Sequence, residues 1–104
     1  MATNTTDGRQ RLIGLTAFQR DVLGVLAYTG ATYGAAVQEE LEQSGWGRIN
    51  HGRLYPNLDE LVEDGYIEKG KIDDRTNRYE LTKRGRRAVK AQSDWLAGKR
   101  GAEA

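Results

Sequence analysis

Residues 49–67 read INHGRLYPNLDELVEDGYI, and how this stretch folds decides the architecture. Leu54, Leu58, Leu61 and Val62 recur at helical spacing, which predicts a helix over about 50–64 with these four facing a core. Asn50 fits as its N-cap and Gly65 as its stop. The only proline of the chain, Pro56, lies inside this pattern. Two readings are compatible with it. The helix starts near residue 50, and Pro56 withholds the N–H that would bond the Gly52 carbonyl and should bend its front; or regular helix starts at Pro56, and 50–55 form a looser entry turn. On a wheel of about 100° per residue, the side opposite the leucines carries Gly52, Arg53, Pro56, Asp59, Glu60 and Glu63, with Asn57 at its flank. Its front half is small, basic and amide-bearing, whereas its rear half is acidic. Laid flat on a polyanion, such a helix would press carboxylates against phosphates. Entering by its N-terminal tip, it would avoid that cost and bring a favourable dipole. His51 falls on the core-facing flank of the wheel, where a packed or capping imidazole is expected.

Working outward, TAFQ at 16–19 fits a capping box, with Thr16 as N-cap and Gln19 reaching back. Phe18, Val22, Val25, Leu26 and Thr29 then form one face, and Gly30 ends a first helix. A second helix is predicted from about Tyr33 to Ser44, with Val37 and Leu41 inward. GWGRIN at 45–50 is a break, with a brief strand around Arg48 and Ile49. Downstream, Tyr66, Ile67 and Ile72 on one side, and Tyr79 and Leu81 on the other, read as two strands. A polar turn, Asp73 to Asn77, joins them. Thr82 caps a last helix over 83–97, with Val89, Gln92, Trp95 and Leu96 along one side.

Three helices, a short strand, a two-stranded hairpin and a closing helix make an α+β winged helix-turn-helix with a C-terminal dimerisation helix. The expected divisions are an N-terminal arm at 1–14, a winged-helix domain at 15–82, a dimerisation helix at 83–97 and a tail at 98–104.

A chain of 104 residues is one domain. It has no cysteine, which excludes disulfides, thiolate metal sites and thiol redox sensing within the chain. A single histidine leaves only carboxylates for a metal, so no metal site and no cofactor are expected. No Ser/His/Asp grouping or phosphate-binding glycine loop can be assembled, and no catalytic residue is assigned. No apolar run approaches a membrane span, and the N-terminus lacks a signal-peptide core. A cytoplasmic protein is expected.

The formal net charge is +1 while charged residues make up 30%, so attraction to nucleic acid must come from how charge is distributed. Arginine outnumbers lysine eleven to five. That suits bidentate phosphate and guanine contacts, and it equally suits a GC-rich genome. Low aliphatic content with many carboxylates hints at a salt-adapted source.

Double-stranded DNA is the partner these features favour. Arg53 is placed to read guanine O6 and N7. Asn57 suits adenine or a phosphate, and Tyr55 suits a phosphate. Arg48 and Asn50 lead into the same tip. Lys71, Arg75, Asn77 and Arg78 form a basic hairpin for the backbone or minor groove. Asp73 and Asp74 blunt that loop and have Arg75 and Arg78 as expected ion-pair partners. KRGRR at 83–87 places cations at a helix N-terminus, where the dipole disfavours them, so phosphate contact or solubility is expected there rather than stability. Val89, Gln92, Trp95 and Leu96 offer a homodimer seam. Pairing would present two tips about one DNA turn apart, on a pseudo-palindromic operator. A competing reading is a winged-helix protein-interaction module, favoured by the small net charge and the acidic rear of the third helix.

TYGAAVQEEL, GRLYPNLDELVEDGYIEKG and RYELTKRGRRAV together resemble the PadR-type winged-helix transcriptional regulators over about residues 15–97. LTAFQRDVL and HGRLYPNLDELVEDG resemble the haloarchaeal branch in particular. The resemblance implies a dimeric DNA-binding regulator, with Arg53, Tyr55 and Asn57 in the recognition helix, a wing at 70–78 and dimerisation through 83–97. Many members carry a longer helical C-terminal domain. Here one helix fits, and the sequence specifies no small-molecule effector.

Overall fold

A computed structural model describes residues 11–99. The elements run α1 (Ala17–Thr29), β1 (Thr32–Tyr33), α2 (Gly34–Leu41), a π-helical turn (Glu42–Trp46), α3 (His51–Glu63), β2 (Ile67–Lys71), β3 (Asn77–Leu81) and α4 (Lys83–Leu96). This is the α+β winged-helix arrangement that the sequence predicts.

The caps that start the helices are local and match expectation. Thr16 and Gln19 form the capping box of α1: Gln19 N–H donates to Thr16 Oγ1 at 3.0 Å, and Thr16 N–H to Gln19 Oε1 at 3.2 Å. Asn50 Oδ1 accepts from Arg53 N–H at 2.9 Å and caps α3. Thr82 Oγ1 accepts from Gly85 N–H at 3.0 Å and caps α4. Regular helix in α3 begins at His51, so Pro56 lies inside it. Regular helix therefore does not start at Pro56.

The core is built from Phe18, Val22, Leu23 and Leu26 of α1, Val37 and Leu41 of α2, and Leu54, Leu58 and Leu61 of α3. Ile67, Tyr79 and Leu81 join it from the sheet, with Tyr66 just before β2, Ile49 ahead of α3 and Ala88 from α4. The inward face of α1 is rotated from the expected one: Leu23 is buried and Thr29 exposed. Leu12 is only 4% exposed and joins the core, so packing begins upstream of residue 15, within the expected arm. The rest of that arm, 1–10, and most of the tail, 100–104, lie outside the described residues.

The sheet order is β1-β3-β2, antiparallel throughout. Its third strand is Thr32–Tyr33, which pairs with Tyr79 and Arg78. The strand expected around Arg48 and Ile49 does not form. Side chains of α2 and the π-turn take the Ile49 backbone instead. Ile49 N–H donates to Glu42 Oε2 at 2.9 Å, and its carbonyl accepts from Gln38 Nε2 at 2.7 Å. The Ile49 N–H, then the Gln38 amide and the charge of Arg48, hold the Glu42 carboxyl below its ordinary value despite some desolvation.

In the wing, Ile67 pairs with Leu81 and Lys71 with Asn77. Ile72, expected in the first strand of the hairpin, lies just beyond the end of β2 and is 52% exposed. Asp73 Oδ1 accepts from the Arg75 and Thr76 N–H groups at 2.9 Å each. The tip carboxylate therefore folds the turn through the backbone. Arg78 pairs not with the tip acids but with Glu80, at 3.4 Å.

Two of the cations in KRGRR are structural, contrary to expectation. Arg84 stacks 4.3 Å from the Tyr66 ring centroid and donates to its hydroxyl at 3.1 Å. Arg86 donates to the Leu81 carbonyl at 3.0 Å. Both reach back past the helix start, so the dipole penalty is offset by specific partners. Lys83 and Arg87 stay exposed.

Candidate nucleic-acid interface

α3 is fixed on three sides, and its N-terminal tip is left open. Leu54, Leu58 and Leu61 anchor its inner face. On the wing side, Lys69 Nζ approaches Asp59 Oδ1 at 3.5 Å, an exposed pair that contributes little to stability. Beneath the same flank Tyr79 is buried, and that burial, with Asp59 nearby, pushes its hydroxyl above the ordinary value.

On the α1 side the anchor is Gln19, 5% exposed. Its Nε2 donates to Asn57 Oδ1 at 3.0 Å and to Glu60 Oε1 at 2.8 Å, while its Oε1 serves the capping box. One amide thus ties the start of α1 to the middle of α3. Asn57 Nδ2 donates in turn to the Arg53 carbonyl at 2.8 Å. Both ends of the Asn57 amide are engaged within the protein. Gln19→Leu keeps the volume and deletes these bonds. It is expected to cost about 1–3 kcal/mol, read as a lower urea midpoint, and an unchanged midpoint would contradict the tie.

The open tip carries His51, Gly52, Arg53 and Pro56, all exposed. His51 is not on a packed flank: the first turn of α3 projects past the core, and its ring meets Tyr55 edge to face at 5.4 Å. Sequence reasoning missed it because a wheel gives angle and not depth along the axis. Pro56 has no N–H for the Gly52 carbonyl, so that bond of the helix ladder is missing beneath the exposed strip. Arg53 lies over two rings, with Cζ 4.3 Å from the Phe18 centroid and 4.9 Å from that of Trp46.

Tyr55 is half-buried against the first turn of α2, where a Cβ added to Gly34 would sit 2.6 Å from its hydroxyl oxygen. Arg48 and Asn50 are exposed in the segment entering α3. In the wing Lys71, Arg75 and Arg78 are exposed and Asn77 is half-buried. The structure thus brings the tip residues together on α3 and its entry, and gathers the wing residues on a separate hairpin.

The expected seam on α4 divides by depth. Ala88 and Ala91 pack inward and Val89 and Gln92 are half-buried, while Trp95 and Leu96 are 51% and 70% exposed. Arg11 covers Trp95 at 3.7 Å from its ring centroid. Between α1 and α4 runs a groove of about 780 Å³ lined by Leu12, Gly24, Val89, Trp95 and Leu96 among others. Among the described residues no helix is long and apolar enough to cross a membrane. No cluster of His, Cys, Asp and Glu suited to a metal forms among them either.

Comparison with known families matches residues 22–91 to the profile of the transcriptional regulator PadR-like family. Among solved structures, the complex structure of hsRosR-S1 is 49% identical, with a TM-score of 0.77 over 81% of this chain and 74% of that one. H. salinarum RosR grown from NaBr is 48% identical, with a TM-score of 0.79 over 88% of this chain and 83% of that one. Reduced AbfR bound to DNA shares the fold at 21% identity, with a TM-score of 0.69 over 82% of this chain and 60% of that one. No curated protein matches the chain.

Proposed function

The chain belongs to the PadR-like family of transcriptional regulators, and from that premise we propose that it binds a pseudo-palindromic operator as a homodimer, with the tip of α3 in the major groove. That it is a DNA-binding transcriptional regulator follows from the family and from its likeness to RosR. The reading of the site is carried by one observation: the exposed, basic, proline-smoothed front of α3, with the acidic residues confined to its rear.

In this reading Arg53 takes guanine O6 and N7 through its guanidinium fork. His51 and Gly52 extend the same surface. Tyr55 and the first turn of α2 share a phosphate, since a hydroxyl and free helix N–H groups converge there. Arg48 and the Asn50 amide nitrogen take flanking phosphates. Asn57, engaged at both ends, sets the pose of α3 and touches DNA only at its edge. The wing over 70–78 follows the backbone or minor groove through Lys71, Arg75, Asn77 and Arg78. Such contacts are electrostatic and sequence-independent, so Arg75→Ala should weaken all duplexes alike. It should also lower the slope of log K against log salt by about one. A binding titration at several salt concentrations reads this, and an unchanged slope would remove Arg75 from the interface.

Pairing through the end of α4 is supported by Trp95 and Leu96, large apolar side chains left exposed on the wall of the groove between α1 and α4. Val89 and Gln92 continue the same side. Leu96→Glu should convert the dimer to a monomer in sedimentation and abolish tight operator binding while leaving the fold intact. A dimer that survives the substitution would place the seam elsewhere. We assign the chain no reaction and place it in the cytoplasm, with its operator.

A further inference from the structure

We infer that Trp46, with Phe18, is a positioning residue for sequence readout: the faces of the two rings hold the Arg53 guanidinium, and no carboxylate takes its hydrogen-bonding edge. This rests on the reading of Arg53 as the base-reading side chain. Phe18 comes from the first turn of α1, and Trp46 from the turn between α2 and α3. They meet edge to face, with centroids 5.2 Å apart and planes at 89°. Trp46 is itself fixed, since its Nε1–H donates to Asp21 Oδ2 at 2.8 Å. The turn is shaped to aim it: Gly45 and Gly47 on either side take φ of 123° and 72°, values that L side chains rarely adopt.

The choice of contact matters for what Arg53 can do next. A carboxylate partner would occupy the same N–H edge that guanine requires. Among the described residues no carboxylate pairs with Arg53. Ring faces hold a cation through their quadrupole and consume no N–H donor. Arg53 therefore stays exposed and restrained, with its donors uncommitted. Restraining a long side chain before binding reduces the rotamer entropy lost when it docks. That saving is made on the cognate base pair and not on phosphates generally, so it acts on discrimination.

The test compares Trp46→Ala, Trp46→Phe, Arg53→Ala and the Trp46→Ala/Arg53→Ala double variant. Each is titrated against the preferred duplex and against the same duplex changed at the base pair that Arg53 discriminates. Trp46→Ala should lower discrimination at that pair about fivefold and leave other positions unaffected. It should add little in the Arg53→Ala background. Trp46→Phe keeps a ring face and should retain most of the discrimination, which separates positioning from a general loss of fold. The inference is overturned if Trp46→Ala weakens all duplexes in proportion, or if its effect adds in full to that of Arg53→Ala. The free protein gives a separate reading. Arg53→Ala should move the indole N–H resonance of Trp46 and not that of Trp95. If the resonance moves while Arg53→Ala leaves base preference unchanged, the reader assignment fails and the readout role falls with it. If base preference changes while the resonance stays still, the cradle alone is refuted.

Discussion

Gly85→Ala is expected to destabilise this domain by about 3 kcal/mol, the cost of forcing atoms into a packed site with no room to relax. For a domain of this size that lowers the melting temperature by roughly 12–24 °C. The cause lies where α4 starts against the end of α3. A Cβ on Gly85 would fall well inside contact distance of the Tyr66 carbonyl oxygen and 3.1 Å from Leu81 Cδ2. That carbonyl cannot swing away, because Thr82 N–H donates to it at 3.0 Å. The Thr82 hydroxyl adds a further restraint, donating to the Gly65 carbonyl at 2.6 Å. In turn Thr82 Oγ1 caps Gly85 N–H, so the same substitution strains the cap. The Leu81-Thr82-x-x-Gly85 pattern is thus one device: a threonine that clamps the chain leaving α3, and a glycine that lets it come close. Gly70→Ala is the contrast, since its methyl would meet only the far end of Arg78 at 4.0 Å. Thermal denaturation of the two variants should separate them widely, and equal melting temperatures would refute the close approach.

Arg53→Ala carries the second large effect, and it should appear in recognition rather than stability. Its side chain is exposed and touches the core only through the outer faces of Phe18 and Trp46. Loss of that stack costs about 0.5–1 kcal/mol at an exposed site. Loss of a bidentate guanine contact costs about 1–3 kcal/mol of discrimination at one base pair. Arg53→Ala should therefore lower the melting temperature by only roughly 2–8 °C, far less than Gly85→Ala, and flatten preference at one position per half-site. The salt slope should change less than in Arg75→Ala, because a base contact releases no phosphate counterion. Arg53→Lys should behave almost as alanine in discrimination, because an ammonium keeps the charge without the fork. Uniform weakening on every duplex would reassign Arg53 to the phosphates.

What the sequence disclosed follows from the range of the interactions involved. Thr16 with Gln19, Asn50 and Thr82 are caps that act over three residues, so each is visible in a short window. The leucines of α3 repeat over about two turns and define its inner face without reference to anything else. The strand Thr32–Tyr33 could not be seen, because two residues carry no periodicity and its partners are Tyr79 and Arg78. The strand expected at Arg48–Ile49 had the right residues, but Glu42 and Gln38 had already taken its backbone groups. Arg84 and Arg86 read as free charge because their partners, Tyr66 and the Leu81 carbonyl, are met only after the chain folds back. At the tip the same limit applied. The exposure of Arg53 was legible from the wheel, but the rings that hold it come from α1 and from the turn after α2. The bonds that occupy Asn57 reach it from Gln19, 38 residues away.

Two α3 tips, brought together by α4, are proposed to read DNA sequence. Selection of bound duplexes from a random pool, with the full chain at fixed salt, tests this most directly. Two inverted half-sites are expected, with centres about 10–10.5 base pairs apart or a multiple of that spacing. In the same experiment Arg53→Ala should lose preference at one symmetric position in each half. Binding to the pool with no enriched sequence, or a single asymmetric site unchanged by Arg53→Ala, would contradict it.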